Sequence, residues 1–211
     1  MKKVVSVVLA VMMLASLSVF AFADVNPSVT TKAAPEFDAD SVVVDGVDGN
    51  VSVELTAAAT ELDENATEEE KAEFEEKKEA VNNAIEAVTE QADLVAAVEQ
   101  AVVVETTSTI ATDVYDTAED AVPAVSDVFY FDAKDENGES VLATEYVEGE
   151  TPAVKVLVKV VLPDNLMKVL QFVKGVWVEV PVVLDENGEA CLEVSYVGPI
   201  VFVVNSNVEK G

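Results

Sequence analysis

Arginine and histidine are missing from this chain altogether, and each absence closes off some chemistry. Without arginine there is no planar, two-pronged clamp for phosphate or carboxylate. Without histidine there is no imidazole base for a nucleophile triad and no imidazole ligand for zinc. Cysteine is almost absent: Cys191 stands alone, so no internal disulfide can form, and an exported chain keeps a free thiol or an intermolecular bond. A catalytic thiolate needs a cationic or imidazole neighbour, and none lies near Cys191 in sequence. Cys191 shares its side of the Glu189 to Tyr196 stretch with Glu189, Glu193 and Ser195, a pattern that predicts an outward-facing bystander thiol. Positive charge is scarce too, 12 lysines against 41 acids, for a net charge of −29. A chain this anionic repels phosphate backbones and anionic lipid, which sets aside nucleic acid and the membrane surface as partners. The acidity itself has a plain explanation in solubility outside the cell.

What is present begins with an address. The first residues, MKKVVSVVLAVMMLASLSVFAFA, carry two lysines, an apolar run and small residues at Ala21 and Ala23, the layout of a secretory signal cleaved after Ala23. The run from Val4 to Phe22 is nearly long enough to anchor in a bilayer, but the small-x-small site before Asp24 favours cleavage. Residues 1–23 are therefore expected to be a signal peptide, with no membrane insertion after cleavage. No cysteine follows the site to take a lipid, and NSNVEKG at the C-terminus is neither a hydrophobic tail nor a wall-sorting signal. The expected location is secreted or extracellular, with association at the cell surface through non-covalent contacts.

The densest β signal runs from Thr151 to Asn205. Val154, Val156, Val158, Val160 and Leu162 alternate with Lys155, Leu157, Lys159 and Val161, which predicts a strand with its valine face in the core. Further strands are expected at Val169 to Val173, Val176 to Val180, Ala190 to Tyr196 and Ile200 to Val204. Lys174-Gly175, Asp185 to Gly188 and Gly198-Pro199 separate them, combinations that favour reversal of the chain. Earlier, Val128 to Asp132 and Ser140 to Val147 read as strands around a turn at Asp135 to Gly138. The two turns echo each other: DENGESVLATEYV from Asp135 and DENGEACLEVSYV from Asp185 agree at Asp, Glu, Asn, Gly, Glu, Leu, Tyr and Val. A duplicated hairpin and one good turn found twice explain this equally well.

The N-terminal half has a different texture. Residues 24–40 hold Pro27 and Pro35 and little periodicity, an extended lead-in. Ser41 to Thr56, valine-rich around two Asp-Gly steps, predicts a β-hairpin. Its acids suggest calcium, but counting from Asp48 the position that must be glycine in the helix-loop-helix calcium motif is Val53. Thr67 and Glu70 make a capping box at the head of a helix expected from Thr67 to Val102. Asp93 could cap a second short helix, though no breaker forces a split. Phe74, Val81, Ile85, Val88, Ala92 and Val95 form its apolar stripe, while Glu73, Glu75, Glu76, Lys77, Lys78 and Glu79 are expected in water. The stripe could also serve a coiled-coil partner, but it is rich in alanine and short of leucine.

The order of these signals resembles a group of exported proteins of anaerobic Gram-positive bacteria, largely uncharacterised. The likeness rests on Val125-Ser126-Asp127-Val128-Phe129, Leu162-Pro163-Asp164, Lys174-Gly175-Val176-Trp177 and the closing Gly198-Pro199-Ile200-Val201-Phe202-Val203. It implies an extracellular or cell-surface setting and a β-sandwich-like C-terminal module, and it carries over no catalytic residues.

The expected fold class is α+β: an antiparallel β-sandwich-like module over residues 127–211, one long amphipathic helix and the N-terminal hairpin, the last two within residues 41–126. The functional expectation is a non-enzymatic acidic interaction module whose partner is a protein or glycan of the cell envelope. No pair of carboxylates stands out from the acidic background as a glycosidase pair would. An alternative is a glycan-binding accessory module, with Trp177, Tyr130, Tyr146 and Tyr196 as ligand-facing aromatics on one sheet face. Core packing of Trp177 beside the Lys174-Gly175 turn competes with that role. A third reading is a calcium-binding surface protein, with Asp113, Asp116, Glu119 and Asp120 as the chelating cluster and no other cofactor.

Overall fold

The computed structural model describes residues 43–45, 51–57, 62–63 and 65–207. The expected signal peptide and lead-in lie outside them. Among the described residues are ten strands and two α-helices, and the fold they make is sheet-rich and antiparallel in all but one strand pairing. In chain order these are β1 (Val43–Asp45), β2 (Ser52–Ala57), α1 (Glu68–Glu86), α2 (Gln91–Gln100), β3 (Val102–Val103), β4 (Pro123–Lys134), β5 (Lys155–Val158), β6 (Leu166–Val173), β7 (Val176–Glu179), β8 (Val182–Leu184), β9 (Ala190–Val194) and β10 (Gly198–Asn205).

Two sheets result, one of four strands in the order β1-β5-β9-β8 and one of six in the order β2-β4-β10-β6-β7-β3. A shared core lies between them. Phe129, Phe131, Val169, Ile200 and Phe202 from the larger sheet meet Val156, Val158, Val182, Leu192 and Val194 from the smaller one, all at most 1% exposed. On the far face of the larger sheet, Val81, Val88, Leu94 and Ala97 from the helical region pack on Val125, Val128, Leu170, Val201 and Val203. The layers therefore run helices, six-stranded sheet, four-stranded sheet. Covered on both faces, β10 has all eight residues buried, which is why its sequence is apolar without alternation.

The helical segment departs from the single helix expected. α1 ends at Glu86, its C-terminal amides turn back onto Asn83 and Ile85, and α2 starts again at Gln91 with Glu90 rather than Asp93 as its N-cap. The break rotates the apolar stripe. Val81, Ala84 and Val88 are buried before it and Leu94 and Ala97 after it, while Ala92 is exposed and Val95 only half-buried. The capping box forms as read: Glu70 N–H donates to Thr67 Oγ1 at 3.2 Å and Thr67 N–H to Glu70 Oε2 at 2.7 Å. Glu73 and Lys77 are not left in water. Lys77 reaches Glu54 on β2 and Glu73 at 2.5 and 2.9 Å, and Lys134 on β4 pairs with both acids, so four charges join α1 to the sheet edge.

The N-terminal hairpin is corrected as well. β1 pairs with β5 in the smaller sheet, whereas β2 pairs with β4 in the larger one. Two valine-rich runs so close in sequence suit adjacent strands, but each finds more apolar surface in a different sheet. Val51 and Val53 then enter the shared core, and positions 126 and 127 are neighbours inside β4. Ser140 to Val147 is no strand either, since it makes only isolated bridges at Ser140 and Ala143, although Leu142 is buried in the core. Val160 and Leu162 lie beyond the end of β5 and pack on the core from its rim.

Twin turns and one glycine set the register of the β region. In each turn an aspartate side chain accepts two backbone N–H groups: Asp135 Oδ1 from Asn137 and Glu139 at 2.9 and 3.0 Å, Asp185 Oδ1 from Asn187 and Glu189 at 2.8 Å. Gly138 and Gly188 follow at φ 81° and 82°, the left-handed backbone such a turn requires. At the head of β10, Gly198 has φ 138°, and a Cβ there would lie 2.8 Å from the Phe172 carbonyl oxygen.

Candidate functional site

Two strand pairs cross from one sheet to the other at the same corner. β7 becomes β8 through Val180 and Pro181, and β9 becomes β10 through Ser195, Tyr196 and Val197. Proline suits the first crossing because it has no N–H to give to a ladder. Its carbonyl accepts from Glu193 N–H at 2.9 Å. At the second crossing the carbonyls of Tyr196 and Gly198 are taken up by one side chain: Gln171 Nε2 donates to them at 2.8 and 3.3 Å. Gln171 is 0% exposed, in register with Val178 on β7 and Ile200 on β10.

Glu193 is the second polar group of this corner, 4% exposed on β9. Lys155 Nζ donates to its Oε1 at 2.8 Å and Ser108 Oγ to its Oε2 at 2.6 Å. Burial pushes this carboxyl up, but the hydrogen bonds from Lys155, Ser108 and Thr106 together outweigh burial and leave it below the usual range. Ser108 belongs to a segment that continues along the edge of β8, where Thr109 O accepts from Leu184 N–H and Ala111 N–H donates to Val182 O. Ser108 of this strap and Lys155 thus reach Glu193 on the side of β9 expected to be open. Cys191 is also buried, at 2% exposure, instead of facing outward, and burial followed by the nearby Asp185 pushes its thiol up, away from the thiolate.

The four aromatics singled out in the sequence fall in two places. Tyr146 and Tyr196 meet at the corner with ring centroids 6.5 Å apart; Ala143 bridges to Tyr196 in parallel fashion, and Tyr196 is only 3% exposed. Burial and then the Tyr146 ring raise the Tyr196 phenol. Trp177 and Tyr130 border the helix-side core. Trp177 meets Phe172 with ring centroids 4.8 Å apart and planes tilted by 46°, and Tyr130 lies beneath Lys77 at 6.0 Å, its phenol pushed well up by burial first and Asp132 next. β10 and β6 separate their strands, about 14 Å at the usual strand spacing. The four rings do not form one platform.

One of the acids proposed for calcium, Asp116, is engaged elsewhere. Asp116 accepts from Ala118 N–H and from Asn205 Nδ2, both at 2.9 Å, which holds its carboxyl low. Among the described residues no three acidic or thiol groups are placed to hold a metal ion, and no helix there is long and apolar enough to cross a membrane. Sequence reasoning gave neither Gln171 nor Glu193 a role; Gln171 left a trace, a lone polar residue in the apolar row Val169-Gln171-Val173, whereas Glu193 lies on the side of its strand that reads as polar, with Glu189 and Ser195.

No protein-family model matches the chain, and neither a curated protein nor a solved structure does.

Proposed function

We propose that this is an exported, non-enzymatic acidic protein that acts as an interaction module at the cell surface or in the extracellular medium, with an α+β fold built around a β-sandwich-like unit. The observation that carries the reading is where the positive charge goes. Of the eight described lysines, Lys71, Lys77, Lys134, Lys155, Lys159 and Lys168 close ion pairs with acids of the same chain. Exposed acids such as Glu69, Glu75, Glu76 and Glu79 on α1 remain outside those pairs, against a net charge of −29. A surface of one sign favours a partner of the other and gives an association that salt weakens. The partner is a protein or glycan of the cell envelope that presents cationic groups.

Fractionation of producing cells with intact-mass measurement tests this reading. The expected species begins at Asp24 and is found in the medium or on the envelope, from which salt releases it. Full-length mass in the membrane fraction would overturn it.

A second reading, a glycan-binding module, draws support from Trp177, half-buried and in tilted contact with the equally half-buried Phe172. A sugar ring laid on that pair would shift or quench the single tryptophan's fluorescence. A flat response across a panel of wall and plant polysaccharides would dispose of it.

A further inference from the structure

We propose that the corner where the strands change sheets is a binding site for one internal water, lodged against Gln171 as the hydrogen-bond donor that its amide oxygen requires. The argument starts from the amide. Both crossing carbonyls, those of Tyr196 and Gly198, are served by Gln171 Nε2, so the orientation of the amide is fixed. Turning it over would set an acceptor against two acceptors. Gln171 Oε1 is thereby left as the one fully buried polar side-chain atom without a partner among the described residues. Buried acceptors in folded proteins are paired in about nine cases of ten, and an internal water is a usual partner for the rest.

The surroundings suit such a guest. Gln171, Val178, Pro181, Glu193, Ser195 and Tyr196 are among the residues that line a cavity here, with about 10 Å³ open to the centre of a water-sized sphere. That is room for about one water. The lining is mixed, with Glu193 and Ser195 beside the apolar Val178 and Pro181. The site also accounts for the sequence. An apolar residue at 171 would continue the inward row of Val169 and Val173, but it would leave the carbonyls of the crossing unserved and the corner dry.

The test is water-to-protein cross-relaxation in 15N-labelled full-length chain, read at the Gln171 side-chain amide in the wild type and in Ser195→Ala, where the serine hydroxyl can no longer relay exchange. The expected result is a cross-peak at the water frequency, with the sign of a water that tumbles with the protein, in both proteins. No cross-peak, the sign of fast surface hydration, or a peak lost in Ser195→Ala would each overturn the proposal. In Gln171→Met the water contacts of the Val178 and Tyr196 amides are expected to disappear. Their persistence would assign the water to other partners and refute the role of Gln171. Should that variant fail to fold, the first two proteins decide the matter alone.

Discussion

Two buried acids in this protein have opposite electrostatic fates, and the difference makes both testable. Glu193 keeps its charge because Lys155 and Ser108 reach it. In Glu193→Gln the Lys155 ammonium, whose side chain is only 18% exposed, loses its counter-charge. The expected loss is about 3 kcal/mol in urea unfolding at pH 7. Because the folded carboxyl titrates below its unfolded value, its contribution is fully present above about pH 4.3 and is lost as pH falls through the folded value, so wild type and variant should converge in acid. Asp132 shows the reverse. Burial raises its carboxyl despite hydrogen bonds from Ser140 and the Ala133 N–H. A raised acid costs stability in full above its folded pKa, less as pH falls below that value, and nothing below its unfolded value. Asp132→Asn keeps an oxygen for both donors, so its thermal midpoint should exceed wild type at pH 7, and the gap should close as pH falls toward about 3.9. Equal midpoints at pH 7 would show that the hydrogen bonds offset burial completely.

At the scale of the element, the ends of α1 and β10 hold the sharpest constraints. Thr67→Ala removes the side-chain half of the capping box, and an exposed cap of this kind is worth about 1 kcal/mol; chemical denaturation should report that loss with the slope unchanged. Gly198→Ala is more severe, because a Cβ meets the Phe172 carbonyl at 2.8 Å in a conformation that side chains avoid. A loss of about 1–3 kcal/mol is expected, and an unaffected midpoint would mean that β6 and β10 approach less closely than described. The elements also show where local sequence was enough. The twin Asp-Glu-Asn-Gly-Glu turns and the Lys174-Gly175 turn were legible because their chemistry is complete within a few residues. The break between α1 and α2 was not, since no proline or glycine marks it. It places both apolar stretches on one flat sheet, a demand set by β4, β6 and β10.

For the whole molecule the dominant quantity is charge. At −29 the folded chain repels itself, so its thermal midpoint should rise with ionic strength as screening relieves the strain. Sodium and calcium chloride at matched ionic strength are expected to raise it equally, given that Asp116 is already held by Ala118 and Asn205. A clearly larger rise with calcium would instead establish the calcium-binding reading.

The sequence by itself determined what depends on composition and short-range pattern. It determined the strongly acidic surface, the missing clamp and imidazole chemistry, the capped start of α1, the core-facing row of Val156 and Val158, and the turns at Asp135, Lys174 and Asp185, but not the Gly198-Pro199 reversal, since both residues lie within β10. Tertiary structure alone decided whatever depends on what lies opposite a strand. It sent β1 and β2 to different sheets, buried Cys191 and Glu193 on the side of β9 expected to be open, left 140–147 with isolated bridges instead of a strand, and gathered Gln171 and Glu193 at one corner. The physical reason is that alternation states which residues share a side of a strand, but not whether that side meets water or another layer. In β9 and β10 both sides meet protein, and only the packed layers could make that so.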